Sequence, residues 1–238
     1  MSDRSLVGMT ALVTGASRGI GRAVADRLAE AGARVWGLSR SVDQLEVLRR
    51  ESGVVPLVAN IADDAETWSA LDGLIDELGG APDVVVNAAG VFGIEACVSE
   101  TVADFDRSLA VNLRGPFLVT RVLLPSMLSR GSGLFVQIGS VAGRKAYPGN
   151  AAYSASKFGL RGFHEVLVEE LRGTGVRASL LEPAATDTPL WDPLDPDSSD
   201  VFPNRADMLR PSDVAEAVHF LATRPGTVSI PVLQIEPS

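Results

Sequence analysis

Short β-branched runs alternate with longer segments of helical period along the whole chain, and this alternation limits the possible folds more than any single residue does. TALVTG (10–15), ARVWGLS (33–39), VVPLVAN (54–60), PDVVVNAAG (82–90), GLFVQIGS (133–140), VRASLLEP (176–183) and VSIPVLQIEP near the end read as strands. Helical period occupies the segments between them, including VDQLEVLRRES, a stretch from Asp64 (a candidate N-cap) to Leu78, a long run over 101–128, AAYSASKFGLRGFHEVLVEEL and PSDVAEAVHFLAT. Most strands are apolar on both faces, as a parallel sheet covered by helices on each side requires. The expected fold is therefore α/β: a doubly wound parallel sheet of about seven strands in a three-layer α/β/α arrangement.

At 238 residues and 46% apolar content the chain suits one domain with a sizeable core, taken as residues 1–238. A formal charge of −9 argues against nucleic acid or an anionic membrane as partner, and the basic clusters Arg49-Arg50 and Arg144-Lys145 are short. The lone cysteine, Cys97, permits no internal disulfide, and no Cys/His cluster suggests a metal. His164 and His219 each lie in a helix-like run and read as ordinary helix residues. The opening MSDRSLVGMT lacks the pattern of a signal peptide, and no apolar run approaches the ~18 residues that span a bilayer. A cytoplasmic location is expected. The one irregular region, ATDTPLWDPLDPDSSDVFPNR (185–205), follows a strand end and reads as the main part of a substrate lid over about 185–210.

TGASRGIG (14–21) joins the first strand to the first helix. Gly15, Gly19 and Gly21 allow a tight turn and let main-chain N–H groups approach a pyrophosphate, while the helix N-terminus adds partial positive charge. A Rossmann-type site that binds NAD usually ends its second strand in a carboxylate, which bonds the ribose 2′-hydroxyl. Here Ser39 and Arg40 occupy that place, and Arg18 lies within the turn. With no carboxylate to repel a 2′-phosphate and two guanidinium groups able to bind it, NADP(H) is the expected cofactor.

Tyr153 and Lys157 are one helical turn apart, so they share a face. The lysine charge stabilises a tyrosinate and should lower the phenol pKa, making Tyr153 a candidate acid in carbonyl reduction and base in alcohol oxidation. Ser140, at the end of the fifth strand, is placed to hydrogen-bond the substrate oxygen. Asn112 precedes Pro116 by four residues, and proline has no N–H to donate to the Asn112 carbonyl.

The glycine turn, NAAG (87–90) and the ordered set Asn112, Ser140, Tyr153 and Lys157 together resemble the short-chain dehydrogenase/reductases in their single-domain form, from Gly8 to the last strand. The resemblance implies a catalytic role for those four residues: Lys157 also holds the nicotinamide ribose, and the Asn112 carbonyl binds a water linked to Lys157. For the cofactor it implies contacts from Gly15, Ser17, Arg18, Gly19, Ile20 and Gly21 in the turn, and from Ser39 and Arg40 after the second strand. It further implies an adenine contact from Asn60, which stands where the family usually carries Asp and whose amide can both accept and donate, with Ile61 flanking the ring. Asn87, Ala88 and Gly90 follow, and then Tyr153, Lys157, Pro183, Thr186 and Thr188. The last three come from EPAATDT (182–188), which resembles the family's PGxVxT segment with Ala184 for glycine and Thr186 for valine.

No metal is expected. The substrate expected is a small, neutral or mildly basic ketone or aldehyde, because the lid carries Asp187, Asp192, Asp195, Asp197 and Asp200 before its first basic residue, Arg205. Tyr147, Trp191 and Phe202 are candidate apolar walls. Reduction of a 3-oxoacyl thioester on an acyl-carrier protein stays open, with Arg130 and Arg172 as candidate carrier contacts. So does a hydroxy-acid or amino-acid dehydrogenase, since VSIPVLQIEPS lacks the Asp-Gly-Gly stretch of many relatives. An NADP-sensing or scaffold protein is the non-enzyme alternative. The resemblance also implies a homotetramer, or a homodimer, assembled through the helices at 101–128 and 151–172.

Overall fold

The structure, a computed structural model, describes residues 5–238; residues 1–4, the start of the segment read above for targeting signals, lie outside the described residues. Seven parallel strands form one sheet in the order β3-β2-β1-β4-β5-β6-β7. They are β1 (Thr10–Thr14), β2 (Arg34–Ser39), β3 (Val55–Val58), β4 (Val84–Asn87), β5 (Gly133–Ile138), β6 (Val176–Pro183) and β7 (Val232–Ile235). The helices are α1 (Gly19–Glu30), α2 (Val42–Ser52), α3 (Asp64–Leu78), α4 (Val102–Leu109), α5 (Gly115–Arg130), α6 (Ala151–Glu170) and α7 (Pro211–Ala222). The expected doubly wound α/β architecture is the one observed.

Period-two alternation within the strands builds the three layers. Val13, Val86 and Val136 point to one face and pack with Val24 and Leu28 of α1, Leu45 and Leu48 of α2, and Val214 and Val218 of α7. Their neighbours Leu12, Val85 and Phe135 point to the other, against Leu71 and Leu74 of α3, Leu123 and Met127 of α5, and Leu167 of α6. Each strand thus needs apolar residues on both sides, which is why these runs read as continuously hydrophobic. The chain reverses its winding between β1 and β4, and the cleft outside the carboxyl ends of those two strands is the place where such sheets bind ligands.

Two expected details differ. The N-cap of α3 is Asp63 rather than Asp64: its carboxylate accepts from the N–H groups of Ala65 and Glu66 at 2.9 and 3.0 Å. The helix expected over 101–128 is interrupted by a π turn at Ala110–Arg114, where the Gly115 N–H bonds the Ala110 carbonyl five residues back. Pro116 explains the widening. In an α-helix its ring would press on the Asn112 carbonyl, to which it has no N–H to offer, and one extra residue in the turn relieves that clash.

Candidate active site

The glycine turn lies at the reversal point and forms the floor of a cleft. Gly15 has φ +70°, and a Cβ there would come within 2.7 Å of the Ala89 main chain. A Cβ at Gly21 would lie 2.3 Å from the Gly15 carbonyl oxygen. Only glycine allows the turn to close this tightly and press against the segment after β4. Thr14, which sequence reasoning passed over, fixes that segment: its hydroxyl oxygen accepts from the N–H groups of Ala88 and Ala89, both at 3.1 Å. The first turn of α1 carries no acidic side chain, so nothing opposes the positive end of the helix dipole. A cradle that a single Cβ would fill, at a helix start free of carboxylates, fits a pyrophosphate.

From that floor the cleft runs over Ser39 and Arg40 on one side and past Asn60 and Ile61 to Ala88 and Gly90 on the other, with Thr188 above the turn. Ser17, Arg18, Gly19 and Ile20 complete the expected lining. Arg18 and Arg40 are exposed, while buried Ser39 donates to the Ser17 hydroxyl at 3.0 Å. Sequence reasoning missed Ser41 and Gln44 beside Arg40, and Val91, Pro189 and Leu190 toward the lid. A polar pair at the start of α2, beside a basic residue, was the available sign for the first two.

Three expected cofactor residues stand behind the cleft wall rather than in it. Asn87 is buried and donates to Gln137 on β5 at 3.0 Å. Pro183 ends β6 and is buried. The buried Thr186 hydroxyl donates to the Ala184 carbonyl at 3.0 Å, and its main chain pairs with Leu209. In this structure their contacts are with the protein.

Ser140, Tyr153 and Lys157 meet where β5 delivers the chain to α6. The Ser140 oxygen accepts from Ala142 N–H at 3.1 Å and caps a short 3-10 turn, Val141–Gly143, which packs on α6. The Lys157 ammonium is buried, stands 5.6 Å from the Tyr153 ring centroid and donates to the Ile138 carbonyl at 2.8 Å. Burial lowers the Lys157 pKa to about 8. It pushes the Tyr153 phenol above the usual tyrosine value, with an interaction from Ser140 pulling the other way. The expectation that Lys157 lowers the phenol pKa is therefore reversed here, because loss of water around the phenol outweighs any help from the lysine.

Asn112 is fully buried, and its side chain acts as a clamp. Its carbonyl oxygen accepts from Val91 N–H at 2.8 Å, and its amide donates to the Val91 carbonyl and to the Ser156 hydroxyl, both at 3.0 Å. The segment after β4 is thereby tied to α6. No direct bond joins Lys157 to the Asn112 carbonyl; the ammonium is committed to Ile138.

Glu182, fully buried at the end of β6, binds Arg161 of α6 at 2.8 Å, lies 3.6 Å from Arg144 and accepts from Gln234 of β7 at 3.2 Å. A buried carboxylate needs such partners, and these tie the turn after Ser140 to α6 and β7. Among the described residues no group of His, Cys, Asp and Glu could hold a metal.

The lid contains three short 3-10 turns, at Asp192–Leu194, Pro196–Ser198 and Arg205–Asp207. Arg205 gathers its acidic side chains, reaching Asp187 at 2.5 Å, Asp192 at 2.7 Å and Asp197 at 4.0 Å. The loop stays acidic, as the sequence implies, but Arg205 is drawn in among three of the aspartates. Trp191, from the same loop, packs on Phe92, whose ring stands edge-on to Tyr153.

Comparison with known proteins agrees with this geometry. The family model described as short chain dehydrogenase matches residues 9–199. The chain is 36% identical over 231 residues to a 2-(R)-hydroxypropyl-CoM dehydrogenase of Xanthobacter autotrophicus, covering 91% of this chain and 92% of that one. It is 34% identical over 230 residues to a D-threitol dehydrogenase of Mycolicibacterium smegmatis, covering 93% and 88%. Among solved structures, a metagenomic short-chain oxidoreductase in complex with NADP superposes with a TM-score of 0.84 at 32% identity, covering 100% of this chain and 99% of that one.

Proposed function

The chain belongs to the short-chain dehydrogenase family, and from that premise we propose that it is an NADP(H)-dependent carbonyl reductase and alcohol dehydrogenase acting on a small ketone or aldehyde. It is an oxidoreductase of CH–OH groups, and NADP(H) is its cofactor, as in the solved metagenomic relative. The observation that carries the finer reading is the meeting of Ser140, Tyr153 and Lys157, with Tyr153 packed on Phe92, whose neighbour Val91 lines the cleft above the glycine cradle.

When bound, the nicotinamide supplies the hydride in reduction and accepts it in oxidation. The Ser140 hydroxyl donates to the substrate oxygen and orients it toward Tyr153. The Tyr153 hydroxyl gives its proton to that oxygen as the alcohol forms, and the phenolate takes one back in the reverse direction. Lys157, a buried cation on the same helix face, stabilises the phenolate during that exchange. Arg18 and Arg40, exposed at the rim, take the 2′-phosphate.

Tyr153→Phe tests this reading. It should lower kcat/KM for carbonyl reduction by about 10³-fold while leaving NADPH binding within about threefold. Turnover at the unmutated rate would overturn the mechanism.

A 3-oxoacyl-(acyl-carrier-protein) substrate finds less support. Arg130 is committed to the carbonyls of Ala81 and Pro82 at 2.7 and 3.1 Å, and Arg172 pairs with Glu169 at 2.7 Å. The chain is taken as one domain of cytoplasmic location. Assembly into a homotetramer, or a homodimer, is supported by the apolar side chains that α4, α5 and α6 leave exposed, among them Phe105, Phe117, Phe158 and Val166. Light scattering on the purified protein checks the assembly, with a monomer as the contrary result.

A further inference from the structure

We propose that Phe92 determines substrate specificity and, with Trp191 and Phe202, selects a ketone whose non-reacting substituent is an aromatic or similarly bulky uncharged group. The inference rests on the reading of Tyr153 as the acid–base residue, since it is Tyr153 that locates the substrate.

Three aromatic rings continue outward from Tyr153. Phe92 stands edge-on to it, with ring centroids 4.8 Å apart and planes at 75°. Trp191 packs on Phe92 at 5.1 Å and 57°, and Phe202 meets Trp191 at 5.8 Å and 61°. Edge-to-face and tilted contacts of this kind are the preferred aromatic geometries, and an aryl group entering beside them can make the same contacts.

Phe92 is held on both sides. Asn112 bonds both main-chain groups of the preceding Val91. Two residues beyond, Ile94 lies so close to Gly149 that a Cβ there would come within 2.7 Å of it, and the Glu95 N–H donates to the Gly149 carbonyl at 2.8 Å. A ring fixed between two anchors is a rigid wall, which costs little ordering on binding and discriminates by shape. Trp191 and Phe202 come from the lid, so the outer part of the wall belongs to that loop.

Charge favours the same substrate class. Arg205 is occupied by three lid aspartates, and Arg144 by Glu182 and Glu236. Lys145 stands over the Tyr147 ring at 5.2 Å. A substrate carboxylate would have to compete with acidic side chains already on Arg205 and Arg144, whereas an uncharged aryl group competes with none.

The test compares kcat/KM with NADPH for acetophenone, butanone and acetoacetate in the unmutated protein, Phe92→Leu and Phe92→Trp. Acetophenone should exceed each of the other two by at least about tenfold, the discrimination that a few good apolar contacts supply. Phe92→Leu should lower the acetophenone-to-butanone ratio by about tenfold through KM, and Phe92→Trp should retain most of it. A ratio near one, a preference for acetoacetate, or a ratio unchanged by Phe92→Leu would overturn the proposal.

Binding of 1-phenylethanol and 2-butanol to the protein–NADP⁺ complex, followed by tryptophan fluorescence, separates the two readings. If no ketone is turned over but 1-phenylethanol binds more tightly and Phe92→Leu weakens it, the specificity wall stands and the acid–base reading fails. Equal binding of the two alcohols overturns the wall.

Discussion

The Lys157 ammonium and the Ile138 carbonyl are joined by a 2.8 Å hydrogen bond inside the protein, between the helix that carries Tyr153 and the strand that leads to Ser140. This one bond accommodates a cation buried without a carboxylate beside it, at a cost in stability that burial makes visible as a lysine pKa lowered to about 8 from the ordinary 10.5. Between those two values the unfolded chain holds a proton that the folded chain has shed, so stability rises with pH across the window. Below it, the cost is present in full. Lys157→Met should therefore raise Tm at pH 7 by a few degrees while abolishing turnover, and the gain should shrink as pH approaches 10. Calorimetry at both pH values checks this; a variant less stable than the parent at pH 7 would contradict it.

Arg40 stands at the rim of the cleft where an NAD-binding site would present an acid. Arg40→Asp removes a cation and adds a repelling charge, and a charge-assisted hydrogen bond is worth about 1.5–3 kcal/mol. The ratio of catalytic efficiencies with NADPH and NADH should fall on the order of 100-fold. Steady-state kinetics with both cofactors is the measurement, and an unchanged ratio would remove Arg40 from the 2′-phosphate site.

The buried Asn112 side chain makes three hydrogen bonds, two of them to the half-buried Val91. Asn112→Ala leaves those partners unpaired and should cost about 2–4 kcal/mol, read as a lower midpoint in urea. Because Val91 adjoins Phe92, KM should rise as well. A midpoint within error of the parent would show that the clamp contributes little.

Arg205→Ala frees Asp187, Asp192 and Asp197 to repel one another, and it releases the loop that carries Trp191. Most of these charges are exposed and screened by water, so global stability should change little. The expected change is local: faster proteolysis within 187–205 and a KM several-fold higher, with kcat less affected. Peptide mapping after brief protease treatment checks the first, and an unaltered cleavage rate would argue against a latch.

The legibility of this protein divides along the range of the interactions involved. Strand and helix order, the glycine turn and the i, i+4 spacing of Tyr153 and Lys157 are local, fixed by side-chain periodicity and main-chain sterics within a few residues, and they were readable from the sequence. VDQLEVLRRES became α2 over Val42–Ser52 for that reason. Pro116 announced a disturbed helix, although whether the chain would kink or widen into a π turn depended on what packed around it.

Tertiary structure alone decided the rest. Phe92 gives no sign in the sequence of touching Tyr153; that contact needs Asn112 and Gly149, from two other segments, to fix the loop. Arg205 reads as the residue that ends an acidic run, yet the folded loop brings it back among the aspartates. The rise in the Tyr153 pKa is likewise a property of its surroundings. Sequence spacing sets which groups can share a helix face, but desolvation depends on every atom that displaces water, and those atoms come from all parts of the chain.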